Sequence, residues 1–230
     1  NRKKTIAITG AHGKSTTTAL CGELLVAAGR DPTVVVGAEI QSFGGNVRLG
    51  QGRFSVVEAD DSDGSLLWLA PTVGILTNVD EEHLDYFRNI GEIIETYTAF
   101  VDRVVPGGIL IGCGDDPTVA RILNAAHRGT LSYGLSDDAR VTASHLEWGP
   151  GWSRYRCRVG GTTLGTIRLQ IPGTHNVVNS LAAVALAQFL GLNFRVTRSA
   201  LENYRGAKRR FQIQGEVGGI RIVQDYGHHP

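Results

Sequence analysis

The segment Gly10-Ala11-His12-Gly13-Lys14-Ser15-Thr16 separates an apolar, β-branched run at residues 5–9 from a helical stretch at 14–28 that Gly29 closes. Strand, glycine turn and helix in that order let successive backbone N–H groups and the helix N-terminus converge on one phosphate. In such a loop Lys14 neutralises the β- and γ-phosphates, and Ser15 or Thr16 offers a hydroxyl to Mg²⁺. The full pattern GxxxxGK[ST] is not met, because Ile8 stands where its first glycine belongs. The short form GxxGKS also fits a glycine turn that only caps a helix, so the decision rests on what surrounds it.

What surrounds it alternates. Strands are predicted at 33–36, 54–58, 73–77 and 108–111, and helices at 90–104 and 117–126. This pattern implies an α/β fold with a mainly parallel P-loop-type sheet flanked by helices on both faces. Between 139 and 171 short alternating segments, broken by Gly-Pro-Gly and Gly-Gly, read as antiparallel hairpins appended to that sheet. A long helix follows at 176–190, opened by Gly173-Thr174 and closed by Gly191, then a shorter one at 197–204. A boundary is expected near Gly206. The first domain is thus 1–206, and 207–230, with segments 211–217 and 220–223 around Gly218-Gly219, opens another.

Composition narrows the partners. Lysine plus arginine number 23 against 22 acids in 230 residues, so charge gives no reason to expect nucleic acid or a membrane surface. Cys21, Cys113 and Cys157 lack CxxC spacing and are odd in number, which fits a reducing, cytoplasmic setting. No apolar stretch approaches the roughly 20 residues that span a bilayer. The sequence has no methionine and begins at Asn1, so a partial chain is expected, and 225–230 read as the opening of a motif that continues past Pro230.

Five further segments carry chemistry. Glu58-Ala59-Asp60-Asp61-Ser62-Asp63 follows an apolar strand and sets carboxylates, Glu58 foremost, beside the phosphate loop, where hard Mg²⁺ finds oxygen ligands. Asp60, Asp61 and Asp63 fit a solvated capping loop equally well. After the strand at 73–77, Asn78, His83 and Asp85 reach the same edge. Gly173-Thr174-His175-Asn176 with Asn179 opens the long helix, where amides and an imidazole can meet a nucleobase or simply cap. Lys208-Arg209-Arg210-Phe211 is a cationic cluster suited to phosphate, and Asp225-Tyr226-Gly227-His228-His229-Pro230 is too short in histidine for a purification tag.

In this order these segments resemble the Mur ligase family over essentially the whole chain. GAHGKSTTT is similar to that family's GTHGKTTT loop, EADDSDGS to its EADESD-type motif and TNVDEEHLDYF to its TN…DH.D motif. GTHNVVNSLAA, GAKRRFQ and DYGHHP are similar to the adenine-side motif, the basic motif and the start of the C-terminal domain. The resemblance implies ATP and Mg²⁺, and an activity that joins L-alanine to UDP-N-acetylmuramate through an acyl phosphate. It implies nucleotide contacts at Gly10, Ala11, His12, Gly13, Lys14, Ser15, Thr16, Asn78, His175, Asn176, Asn179 and Asp225. It further implies metal contacts at Ser15 or Thr16, Glu58 and His83, phosphoryl contacts at Lys14, Arg209 and Arg210, and substrate contacts at Tyr226 and His228.

Some residues depart from the family pattern. Ala11 and Ser15 stand where threonines are usual, and Gln224 replaces an acid common before the Asp-Tyr pair. Other members carry a carbamylated lysine after the histidine motif, whereas 84–104 hold no lysine, which favours the alanine-adding branch. The family also places a UDP-binding domain ahead of this region, so the 230 residues alone are expected to bind nucleotide weakly and not to ligate. A murein-peptide-recycling or folylpolyglutamate-type ligase is the nearer rival. A non-catalytic GTPase-like module is the more distant one, since no NKxD-like guanine motif is present.

Overall fold

The computed structural model describes residues 3–208 and 212–225. Its first strand, β1 (Lys4–Thr9), carries Ile6, Ala7 and Ile8 with no exposed surface, the burial of a parallel strand covered on both faces. Helix α1 (Lys14–Ala27) follows, then β2 (Thr33–Ile40), β3 (Gly45–Arg48), β4 (Phe54–Glu58) and β5 (Val73–Leu76). Next come α2 (Ile90–Asp102), β6 (Ile109–Cys113), α3 (Pro117–Ala125), β7 (Gly129–Gly134) and β8 (Val141–Gly149). Strands β9 (Trp152–Val159) and β10 (Thr162–Leu169), helices α4 (Thr174–Phe189) and α5 (Phe194–Asn203), and strands β11 (Gln212–Val217) and β12 (Ile220–Gln224) complete the order.

Ten strands form one sheet in the order β10-β9-β8-β7-β6-β5-β1-β4-β2-β3. From β2 to β8 every pairing is parallel, while β3 at one edge and β9 and β10 at the other are antiparallel. Helices α1, α4 and α5 cover one face and α2 and α3 the other, each side with its own apolar cluster. Residues 181–187 of α4 are all at most 1% exposed, as befits a helix packed against the sheet, α1 and α5 at once. Its alanines permit those close approaches.

The expected α/β fold with an appended antiparallel segment is what the chain adopts, with differences in detail. β8 belongs to the parallel set as well as to the hairpins. It overlaps β7 only through Tyr133↔Val141 and Gly134↔Thr142, so the short link 135–140 suffices where a parallel pair usually needs a helix. β3 and β7 escape the sequence pattern because glycine, serine and asparagine dilute it, although Tyr133 of β7 is fully buried. Among the described residues β11 and β12 pair only with each other, around Gly218-Gly219. The segment leaving α5 is tied to β2 by an Ile40↔Ala207 bridge and a Lys208–Glu39 ion pair of 2.6 Å.

All three cysteines are buried and unpaired as disulfides. Among the described residues no helix is long and apolar enough to cross a membrane.

Because α4 is enclosed, Leu181→Ala should lower unfolding free energy by about 2–5 kcal/mol in urea titration. Trp68→Ala, at a side chain 85% exposed, should stay within about 0.5 kcal/mol of the parent.

Candidate active site

The site begins with strand register. β1 pairs with β4 through Ile8↔Glu58 and with β5 through Thr9↔Leu76, so the loops leaving these three strands emerge side by side at their C-terminal ends. Gly10 has φ 126° and Gly13 φ 81°, both in the region that disfavours side chains. A Cβ on Gly10 would lie 2.2 Å from Thr77 Oγ1, and one on Gly13 2.4 Å from Asn179 Oδ1. Thr77 Oγ1 donates to the His12 carbonyl at 2.7 Å, and Asn78 Nδ2 donates to the same oxygen at 3.0 Å. The His12 amide donates to Asn78 Oδ1 at 2.7 Å. The backbone of His12 is therefore held through both its N–H and its carbonyl by the residues that end β5.

That anchoring presents the start of α1. The helix has no side-chain cap and no acid in its first turn, so its leading N–H groups and dipole are left to an anion. Gly10, Gly13 and an uncapped 14-residue helix fit a phosphate chain.

Beside the loop lie the groups that fit a hard cation. Ser15 Oγ donates to Glu58 Oε1 at 2.8 Å, and the Gly37 amide donates to Glu58 Oε2 at 2.5 Å. Ligand atoms of Asp60, Asp61 and His83 lie within 4.8 Å of one another. His83 sits at φ 55°, and its Nε2 lies 4.0 Å from Asp61 Oδ1. Asp61 is only 2% exposed, and its two oxygens are taken by Lys14 Nζ at 2.8 Å and the Tyr97 hydroxyl at 2.5 Å. Burial, then the Asp61 charge, push the Tyr97 hydroxyl far above the ordinary phenol range, so it stays a donor. Carboxylate oxygens, a hydroxyl and one imidazole form a donor set suited to Mg²⁺.

Two lobes open from the loop and share His12, Gly13 and Ser15. One, of about 420 Å³, is lined by Lys14, Glu58, Asp60, Glu82 and His83. The other, of about 500 Å³, is lined by Thr16, Asn78, Cys113, His175, Asn179 and Asp225. His12 stands between them, with Nε2 3.0 Å from Asp80 and Nδ1 3.2 Å from Glu82. Surrounding protein lowers the His175 imidazole below its ordinary value while Asp225 opposes the shift, which favours a neutral ring at pH 7. Burial raises the Cys113 thiol to about 11, so it lines the lobe as a neutral group.

The profile of the Mur ligase middle domain matches residues 8–187, from the phosphate loop through α4. The chain belongs to the Mur ligase family. It is 47% identical over 225 residues to the UDP-N-acetylmuramate–L-alanine ligase of Desulfotalea psychrophila, covering 98% of this chain and 49% of that protein. It is 42% identical over 230 residues to the ligase of the same name from Pelotomaculum thermopropionicum, covering all of this chain and 50% of that one. The chain thus spans about half the length of the curated relatives it matches. Among solved structures, UDP-N-acetylmuramate-alanine ligase MurC from Thermotoga maritima superposes with TM-score 0.87 at 27% identity, covering 99% of this chain and 51% of that one. The MurF ligase of Thermotoga maritima in complex with ADP shares the fold, with TM-score 0.81 at 21% identity, covering 97% of this chain and 53% of that one.

Within this Mur ligase domain the structure brings together Gly10, Ala11, His12, Gly13, Lys14, Ser15, Thr16, Glu58, Asn78 and His83, with His175, Asn176, Asn179 and Asp225 around the second lobe. Asn176 spends its amide on the Pro172 carbonyl at 2.6 Å and so helps shape the helix start. Asp85 is exposed and lines neither lobe, and Asp63 caps the turn at Ser65 at 2.9 Å. Arg209, Arg210, Tyr226 and His228 lie outside the described residues. Sequence reasoning passed over Thr77 and Tyr97 and left Asp61 undecided. Tyr97 sits on the buried stripe Ile93, Tyr97, Phe100, Val101 of α2, and its hydroxyl is the only polar signal in that stripe.

Gly13→Ala places a methyl group against Asn179 at positive φ and should weaken binding of a non-hydrolysable ATP analogue about tenfold or more in calorimetry. Gly29→Ala also carries positive φ, but no atom lies within 4 Å of the added Cβ, and it should leave binding unchanged.

Proposed function

We propose that this chain is the ATP-binding core of a cytoplasmic ligase that joins L-alanine to UDP-N-acetylmuramate in peptidoglycan precursor synthesis. The carrying observation is identity of 42–47% across 98–100% of the chain with ligases of that name, together with a phosphate loop whose geometry fits the nucleotide. On this reading residues 1–206 form the central domain, 207–230 open the amino-acid-binding domain, and a UDP-binding domain precedes them in the complete enzyme.

The reaction has two stages. A carboxylate oxygen of UDP-N-acetylmuramate attacks the γ-phosphorus of ATP, the bond to the β,γ-bridging oxygen breaks, and ADP leaves from an acyl phosphate. The L-alanine amine then attacks the carbonyl carbon, the C–O bond to phosphate breaks, and an amide and inorganic phosphate result while the nitrogen loses its proton. Phosphorylation is needed because a carboxylate oxygen is otherwise a poor leaving group.

The residues divide this work by charge. Lys14 and the leading amides of α1 orient the phosphates. Ser15, Glu58 and His83, with Asp60 and Asp61 beside them, would hold Mg²⁺. When bound, that ion neutralises phosphate oxygens as negative charge crowds the site. His175, Asn176, Asn179 and Asp225 line the lobe assigned to the nucleoside; by the family resemblance Arg209 and Arg210 would meet the transferred phosphoryl group, and Tyr226 and His228 the substrate. Positioning of carboxylate against phosphorus supplies much of the acceleration.

On the full-length ligase carrying these residues, ADP release should depend on UDP-N-acetylmuramate and L-alanine together, with the amide seen by mass spectrometry. Turnover supported only by a preformed peptide acceptor would overturn the assignment in favour of a recycling ligase. The 230 residues alone should form no amide.

A further inference from the structure

The ammonium of Lys14 has three hydrogens, and all three are used within the protein. They go to the Gly10 carbonyl at 2.7 Å, the Ala11 carbonyl at 3.1 Å and Asp61 Oδ1 at 2.8 Å. Two of these acceptors belong to the loop itself. The third comes from a different element and is the charged one. Asp61 is 2% exposed, and its second oxygen is fixed by the Tyr97 hydroxyl at 2.5 Å, with Tyr97 itself 1% exposed in the middle of α2. The Lys14–Asp61 pair is nearly enclosed, with side chains 13% and 3% exposed, so solvent screens it little.

A phosphate arriving at the loop can reach Lys14 only by taking one of those hydrogens. Exchange at Asp61 keeps the charge balance, since one anion replaces another. It also sets free a carboxylate oxygen 4.0 Å from His83 Nε2 and inside the group formed by Asp60, Asp61 and His83. An unpaired buried carboxylate is costly unless a cation takes the place of the lysine. Resting on the nucleotide-binding reading above, we propose that Asp61, held by Tyr97, is a positioning residue that exchanges Lys14 for a divalent cation when nucleotide binds. Phosphate and cation loading are thereby coupled through one side chain. Tyr97 fixes the carboxylate and, by donating to it, draws off part of its hold on Lys14.

The two partners predict opposite signs. Asp61→Asn removes the charged competitor, so an ATP analogue without Mg²⁺ should bind about tenfold tighter to this chain, and the gain on adding Mg²⁺ should shrink by a similar factor. Tyr97→Phe leaves the carboxylate with Lys14 as its strongest partner, so Mg²⁺-free binding should weaken about threefold while the gain from Mg²⁺ is kept. A role confined to fold stability would weaken binding in both variants alike. Calorimetric titration with an ATP analogue, with and without Mg²⁺, reads these shifts. Shifts of the same sign in the two variants, or an Asp61→Asn variant that keeps its full gain from Mg²⁺, would overturn the exchange while the nucleotide-binding reading survives. If Asp61→Asn does not fold, unchanged or tighter Mg²⁺-free binding by Tyr97→Phe overturns it alone. Absence of nucleotide binding by the unmodified chain in either condition would overturn the reading beneath it.

Discussion

The backbone N–H and carbonyl of His12 are both fixed by Thr77 and Asn78, and the remainder of the site is arranged around that fixture. A loop with two glycines at positive φ has no preference of its own for one shape. Here the end of β5 selects that shape through three hydrogen bonds to a single residue, and the register of β1 against β4 and β5 sets where the fixture stands. The core on either side of the sheet keeps the three strand ends in line. Packing at Ile6, Ile8, Ile75 and α4 therefore acts on the site through strand position.

Electrostatics follow from this geometry. The start of α1 is an uncapped positive helix end, and beyond it the groups are mostly acidic: Glu58, Asp60, Asp61, Asp80 and Glu82. Such a distribution would repel a nucleotide unless cations were gathered between. Lys14 pairs with Asp61, His12 lies between Asp80 and Glu82, and Ser15 and the Gly37 amide occupy Glu58. Glu58, Asp61, Asp80 and Glu82 are thus each matched within the protein by a partner that phosphate or Mg²⁺ can replace, so the polar network that orders these residues is also the one that a nucleotide would reorganise.

Much of this was legible in the sequence because the informative features are local. Glycine spacing marks the phosphate loop, the β-branched run at 5–9 marks β1, and an acid closing the apolar run 54–58 marks Glu58. The alternation of apolar segments was enough for a parallel sheet, and the hairpins after residue 139 followed from period-two patterning. The losses were non-local. Tyr97 occupies a helical core stripe, and only tertiary packing places its hydroxyl on Asp61. Asp61 shares a run of acids with exposed Asp60 and Asp63, and composition cannot say which one turns inward. β7 was hidden because its glycine and serine residues dilute the apolar signal, although Tyr133 is fully buried and Leu131 packs against the same core.

The central claim is that residues 10–16, as held by the end of β5, form a phosphate site within this chain. Calorimetric titration of the 230-residue chain with a non-hydrolysable ATP analogue and Mg²⁺, beside Lys14→Ala, tests it most directly. Saturable binding by the parent that the variant loses is the predicted result. Equal binding by both, or binding by neither, would contradict it and leave the loop as a glycine turn that starts a helix.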